Sequence, residues 1–238
     1  MFESFPKTRP QVDAEKLKQL YKNYEENRLA KTTASRLSKY MEGWMHKKVA
    51  ADVKCDFDKT TLEIGAGSLN HLKYEQTKVY DVIEPWKKLL ESSPNLNRIR
   101  DIYNDMADVP ASVKYDRIIS VATFEHLLNL PQIVAQSCIH LSANGCLRIG
   151  IPNEGSFLWK ASWRLTTGLE YFIKTGNDYG LIMKYEHVNT ANEIEEILNY
   201  FFADVKKSLF GFSDPLCLYR VYECFNSQTK KAEEFLRN

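Results

Sequence analysis

The sequence predicts an α/β protein with a doubly wound sheet. From residue 60 onward, short β-prone runs alternate with helical stretches, the signature of parallel βαβ units. Several of these runs end on glycine or proline. The last two runs are joined by only Ser213-Asp214-Pro215, too short for a crossover, so they form an antiparallel pair. Seven runs make a seven-stranded sheet, mostly parallel with an antiparallel last strand.

The elements follow in order. Asp13 can cap a first helix with Leu17, Leu20, Tyr21 and Tyr24 on one face. A second helix carries Leu37, Tyr40, Met41, Trp44, Met45 and Val49 at helical spacing. Neither stripe can be buried alone, so both need a surface to pack on. The predicted strands are residues 60–64, 78–83, 98–103, 117–122 and 146–151. Between the last two, a helix starts near Pro131, with Val134, Cys138 and Leu141 on its face and Asn144-Gly145 as its end. Residues 154–189 break the rhythm. This stretch holds Trp159, Trp163, Tyr171, Phe172, Tyr179 and Tyr185 with three glycines between them. It reads either as a lid or substrate loop, or as a packed helical excursion. Thr190-Ala191-Asn192-Glu193 has the form of a capping box and opens a helix with Ile194, Ile197, Leu198 and Phe201. Strands at 205–212 and 216–225 follow, then a polar tail that can form a helix. The chain divides into an N-terminal helical cap, 1–57, and a main domain, 58–238, with the insertion at about 154–189.

Composition narrows the class. The chain has 238 residues, with 32 Lys and Arg against 31 Asp and Glu, and 44% hydrophobic residues. A core of useful size is available. The neutral balance argues against a general nucleic-acid binder. No apolar run reaches the roughly 18–20 residues of a membrane span, and residues 1–6 lack a secretory pattern. The five cysteines, Cys55, Cys138, Cys146, Cys217 and Cys224, form no Cys-x-x-Cys pair. Reduced thiols and a cytoplasmic location are expected.

The chemistry-bearing residues sit at predicted strand ends, where doubly wound sheets bind ligands. The first strand runs into Gly65-Ala66-Gly67 and then a predicted helix. Glycines let a ligand approach the backbone, and a helix start offers free N–H groups. Position 70 is Asn70, where the dinucleotide fingerprint wants glycine. Glu63, just before the turn, suits a cationic amine better than a pyrophosphate. Glu84-Pro85 ends the second strand, where two carboxylate oxygens can accept both hydroxyls of a ribose. Asp105 and Met106 follow the third strand, able to meet an adenine edge and cover its ring. Residues 120–126, with Ala122 and His126, end the fourth.

These pieces resemble the class I S-adenosylmethionine-dependent methyltransferases over roughly residues 58–155. The resemblance implies a Rossmann-like fold and S-adenosyl-L-methionine as cofactor. It implies that Gly65 and Gly67 approach the methionine part, Glu84 holds the ribose, and Asp105 and Met106 meet the adenine. Ser68 departs from the further glycine that many members carry. A more distant resemblance covers Ile151-Pro152-Asn153-Glu154-Gly155, the aromatic insertion and Tyr185-Glu186-His187-Val188-Asn189. It is to methyltransferases of bacterial surface-polysaccharide biosynthesis, and implies a sugar or glycan-precursor hydroxyl as acceptor. The partners expected are therefore a small-molecule or glycan-precursor acceptor and, as an option, a second copy of the chain.

Removing a proton from a hydroxyl needs a base, and the candidates are His126, His187 and Glu154. His126 has a structural alternative beside the cofactor, and His187 an alternative as a partner of the helix start at Thr190. His46, His71 and His140 read as surface or packing residues. Glu125, His126 and Glu154 could gather round an ion, but their spacing gives this no support, and no metal is expected. Two other classes remain: an NAD-dependent oxidoreductase, disfavoured by Asn70 and Glu63, and a non-catalytic methyltransferase-like partner protein, disfavoured by the intact acid and glycine set.

Overall fold

The computed structural model describes residues 2–15, 17–18, 33–53, 58–91 and 93–238. The elements are α1 (Thr33–Val49), β1 (Thr60–Ile64), β2 (Val79–Ile83), α2 (Lys87–Glu91), β3 (Ile102–Tyr103), β4 (Tyr115–Val121), α3 (Leu130–His140) and β5 (Leu141–Pro152). They continue with α4 (Phe157–Trp163), α5 (Leu169–Thr175), α6 (Tyr179–Glu186), α7 (Ala191–Phe201), β6 (Phe202–Gly211), β7 (Cys217–Ser227) and α8 (Thr229–Arg237). The expected first helix begins as read, with residues 14–15 and 17–18 helical and Leu17 N–H donating to the Asp13 carbonyl at 2.8 Å; Leu20, Tyr21 and Tyr24, and also Cys55, lie outside the described residues.

One seven-stranded sheet has the order β3-β2-β1-β4-β5-β7-β6. Strands β1 to β5 pair in parallel, and β7 runs antiparallel to both β5 and β6. The predicted fold class is therefore the observed one. The order reverses at β1, so the carboxyl ends of β1 and β4 flank the switch point where ligands of such sheets bind.

The strands are apolar on both faces because helices cover both. On one face, Leu62, Ile118, Leu147 and Ile149 pack against Val134 and Cys138 of α3 and Ile194, Ile197 and Phe201 of α7. On the other, Val82, Ile119 and Val221 pack against Met45 and Val49 of α1. Gly150 lets α1 approach: an added Cβ there would meet the Met45 side chain at 3.3 Å. Met45 is thus a core residue, and Trp44 packs against Phe210.

Three local expectations are corrected. The third strand is only two residues long, because Leu96–Arg98 forms a 3-10 turn and the Arg98 guanidinium is drawn to the carbonyls of Leu72 and Glu75. Asn144-Gly145 does not end α3. The helix stops at His140 and β5 starts at once, with Gly145 passing close to the Tyr115 carbonyl where a Cβ would sit at 3.0 Å. No long helix follows the glycine turn; Asn70–Lys73 is a single 3-10 turn after Leu69 in the left-handed region. The insertion is helical, α4 to α6 with a π-turn at Arg164–Gly168. The capping box at Thr190 and Glu193 forms as read. Among the described residues, no helix is long and apolar enough to cross a membrane.

A buried polar network joins α1 to the sheet. Arg117 of β4 is fully buried and donates to both oxygens of Glu75, to Asp52, to Thr61 and to the Val49 carbonyl. Arg148 of β5 donates to the carbonyls of Val49 and Lys48 and to Glu223. The two guanidiniums thus satisfy carbonyls at the C-terminus of α1, which a helix cannot satisfy itself. Removing one partner of a buried ion pair leaves an uncompensated charge and costs about 3–5 kcal/mol. Arg117→Ala is expected to lower unfolding stability by about that amount, measured by urea denaturation.

Candidate active site

The candidate cofactor residues line the carboxyl ends of β1 to β4. Parallel pairing sets Ile64 beside Ile83, so the turn after β1 lies next to the residue after β2. Gly65 has φ +73°, and a Cβ there would come within 2.4 Å of Thr123. Only glycine lets these two strand-end loops close on each other. Gly67 has φ +52°, and nothing lies within 4 Å of where its Cβ would be. The backbone there borders open space.

Glu84 is buried at the end of β2. One carboxylate oxygen accepts from Gly67 N–H at 2.8 Å and the other from Trp86 N–H at 2.8 Å. Each oxygen keeps a further acceptor position. The carboxylate therefore shapes the glycine turn and still has capacity for a ligand hydroxyl. Ala66 is buried, and Pro85 is exposed. Asp105 is exposed and caps the Met106–Asp108 turn, accepting from Ala107 N–H. Ala122 is exposed, sits at φ +52°, and donates its N–H to the Gly150 carbonyl.

Two expected side chains are engaged elsewhere. Met106, read as a cover for a ring, is packed in the apolar core with Ile64, Ile83 and Val109. Glu63, read as the partner of an amine, accepts a hydrogen bond from the buried Tyr80 hydroxyl at 2.8 Å. Strand alternation is the reason: Glu63 points to the α1 face of the sheet, opposite to Leu62. Burial pushes its carboxyl up to about 8, against the pull of the Tyr80 hydrogen bond.

The candidate bases come together from three places in the chain. His187, just after α6, donates from Nδ1 to Glu154 Oε2 at 2.6 Å. Glu154, just after β5, also accepts from Trp159 Nε1 at 2.7 Å. His126, after β4, donates from Nδ1 to the Glu186 carbonyl at 3.0 Å. The two imidazole rings meet edge to face, with centroids 4.8 Å apart. His187 is therefore a partner of Glu154, not of the helix start at Thr190. Against the opposing effect of burial, the Glu154 hydrogen bond raises His187 above the usual histidine range. The same bond holds Glu154 below the carboxylate range although burial opposes it. Burial first, then the charge of His187, brings His126 down to about 4. Burial lifts Glu125 to about 7, with His187 opposing.

The sequence reading missed the groups that join these segments. The N–H groups of Val188 and Asn189 both donate to the Glu125 carbonyl, and the Asn189 side chain donates to the carbonyls of Phe124 and Leu127. Asn189 is wholly buried and ties the end of the insertion to the loop after β4. A lone asparagine after His187-Val188 carries no local signal of this. Of the remaining histidines, His71 and His140 are buried packing residues, bonded to Glu75 and to the Val113 carbonyl, and His46 pairs with His71.

The sign of the Glu63 effect gives a prediction. Its folded-state carboxyl is raised, so its contribution is present below about pH 4.5 and is lost as pH rises through about 8. Glu63→Gln removes this dependence. Its melting temperature is expected to match that of the parent near pH 5 and exceed it at pH 8.5, measured by thermal denaturation at both values.

No family model and no curated protein sequence matches the chain. Solved structures do. The plantazolicin methyltransferase BpumL, determined with S-adenosylhomocysteine, is 16% identical with a TM-score of 0.59 over 90% of this chain and 91% of that one. A Thermotoga maritima protein described as a possible histamine N-methyltransferase is 15% identical with a TM-score of 0.52 over 82% and 98%. The CurJ carbon methyltransferase is 19% identical with a TM-score of 0.52 over 91% of this chain and 59% of that one. The sheet order, the antiparallel seventh strand and these neighbours together show that the chain has the class I, Rossmann-like methyltransferase fold.

Proposed function

We propose that the chain is an S-adenosyl-L-methionine-dependent methyltransferase acting on a small-molecule acceptor. The observation that carries this reading is the joint between Glu84 and the glycine turn, at the switch point of a sheet shared with methyltransferases. The residues fit the cofactor. The open space at Gly67 admits a ligand against backbone, Glu84 offers acceptors for a ribose, and the exposed Asp105 offers one for an amino edge. When bound, the cofactor supplies an electrophilic methyl group on a sulfonium, and the acceptor takes it by in-line displacement.

The chain's own residues then have three tasks. Glu84, Gly65 and Gly67 hold and orient the donor, and this positioning supplies much of the rate. His187 has its Nδ1 committed to Glu154, so its Nε2 is the lone pair that acts on the acceptor hydroxyl. Trp159 and Asn189 keep the Glu154–His187 pair in place. A hydroxyl acceptor is the reading supported by this dyad. A sugar or glycan precursor is the narrower reading, supported by the resemblance of residues 151–155 and 185–189 to polysaccharide-biosynthesis methyltransferases. The structural neighbours instead carry the names plantazolicin methyltransferase, possible histamine N-methyltransferase and carbon methyltransferase.

Calorimetry tests the donor. S-adenosylhomocysteine is expected to bind and NAD not to; the reverse result overturns the reading. Glu84→Ala is expected to weaken S-adenosylhomocysteine by at least about tenfold, since a charged acceptor of ligand hydrogen bonds is worth about 1.5–3 kcal/mol. His187→Ala is expected to cut turnover about 10²–10⁴-fold while leaving that affinity unchanged, measured by single-turnover methyl transfer once an acceptor is identified.

A further inference from the structure

The cluster beside the strand ends contains more than a base. Glu125, His126 and His187 each present a ligand atom, and these atoms lie within 4.8 Å of one another. Both imidazoles are fixed in the same tautomer. His126 gives its Nδ1 proton to the Glu186 carbonyl and His187 gives its Nδ1 proton to the Glu154 carboxylate. Neither acceptor can donate back, so in each neutral ring Nε2 carries a free lone pair. This is how metal-binding histidines are held, with the second nitrogen bonded to a carbonyl or carboxylate that orients the ring.

The third group is the independent observation. Glu125 is only 2% exposed, and its Oε2 has no hydrogen-bond partner. Its other oxygen lies 3.7 Å from His126 Nε2. A buried carboxylate oxygen without a partner is costly, and such orphans in a native fold call for an explanation. With both imidazoles neutral, two lone pairs and a carboxylate oxygen all seek positive charge, which a cation, or a proton on His187 Nε2, supplies. The Glu125 backbone is fixed meanwhile, since its carbonyl receives the N–H groups of Val188 and Asn189. The three ligands are thus preassembled on two rigidly joined segments.

We propose that Glu125, His126 and His187 form the binding site of a divalent transition-metal cation, with zinc the best match. Two histidines and one carboxylate with a fourth position open is the donor set of catalytic zinc, with bonds of about 2.0–2.2 Å. A tetrahedral ion with such bonds sets its ligand atoms about 3.3–3.6 Å apart, so drawing these three round one ion needs a closure of up to about 1.5 Å by side-chain rotation. The open position would take an oxygen of the acceptor, whose proton the ion's charge makes easier to release to water; with the ion bound, His187 Nε2 is a ligand and no longer the base. That catalytic use rests on the methyltransferase reading; the binding of the ion does not. The His46–His71–Glu75 cluster is unsuited by contrast, because its ring nitrogens and carboxylate are already bonded to one another and to Arg117.

The test uses the full-length chain stripped of metal with a chelator, titrated calorimetrically with Zn²⁺ and, in parallel, with Co²⁺ followed by visible absorption. One saturable equivalent and a Co²⁺ ligand-field band are expected. Even outer partners of a metal site cost about 10–100-fold in affinity, so His126→Ala and His187→Ala are each expected to lose at least that much. Glu125→Gln, which keeps the buried shape, is expected to lose about tenfold or more, and His46→Ala to bind as the parent does. Thermal melts of each variant identify any that has unfolded, and Glu125→Gln remains the conservative substitution. Absence of a saturable equivalent, or affinity retained in both folded histidine variants, overturns the proposal. S-adenosylhomocysteine is titrated beside the metal. A chain that binds it but not Zn²⁺ loses only the metal site. A chain that binds Zn²⁺ but not the nucleoside loses only the methyltransferase reading.

Discussion

The guanidinium of Arg117, buried in the middle of β4, is the group round which the rest of the molecule is arranged. It has no access to water, so all its N–H groups must find acceptors within the protein. They find Glu75 from the segment after β1, Asp52 and the Val49 carbonyl from the end of α1, and Thr61 from β1. Three stretches of chain are thereby held to one side chain. Arg148 repeats the arrangement one strand over, on the same helix end. The C-terminal carbonyls of α1, with the partial negative charge of the helix, receive two cations directly. The α1 stripe of Met45 and Val49 is then fixed against Gly150, in the core on that face of the sheet.

A different economy governs the opposite end of the strands. There the polar groups are only partly satisfied by the fold. Glu84 keeps acceptor capacity after holding Gly67 and Trp86, Gly67 borders open space, and Glu125 has an oxygen with no partner. Under α1, by contrast, every N–H of the Arg117 guanidinium has an acceptor. The insertion belongs with the strand ends. Its far end delivers His187 beside His126, and the bonds from Val188 and Asn189 to the loop after β4 hold it there. Its outer surface is apolar at Phe157, Leu165 and Ile173.

Much of the sheet was legible because strands buried on both faces leave continuous apolar runs, and because glycine and proline mark their ends. The antiparallel seventh strand followed from a three-residue link. The errors have local causes. At 98–103 the pattern of alternating residues was real, but Arg98 found better partners in two carbonyls and ends a 3-10 turn, leaving only Ile102–Tyr103 as strand. At Asn144-Gly145 a helix-stop signal was instead a strand glycine passing a carbonyl. Glu63 and Met106 were placed at the ligand by motif. Side-chain direction, set by the strand's alternation and by the core, gave them to Tyr80 and to the apolar layer.

The sequence by itself determined which residues stand at strand ends, because that depends on local patterns of two to seven residues. It placed Gly65, Gly67, Glu84 and Asp105 at the mouth of the sheet, and it marked His126, His187 and Glu154 as the groups able to move a proton. Only the tertiary structure decided that the last three share one site with Glu125. They stand 28 to 61 positions apart from one another, and their meeting rests on Asn189, on a carbonyl of the loop after β4 and on the path of three short helices. None of these has a sequence period. Hydrogen bonds between distant backbone groups are set by where the packed elements bring them, and packing is a property of the whole chain.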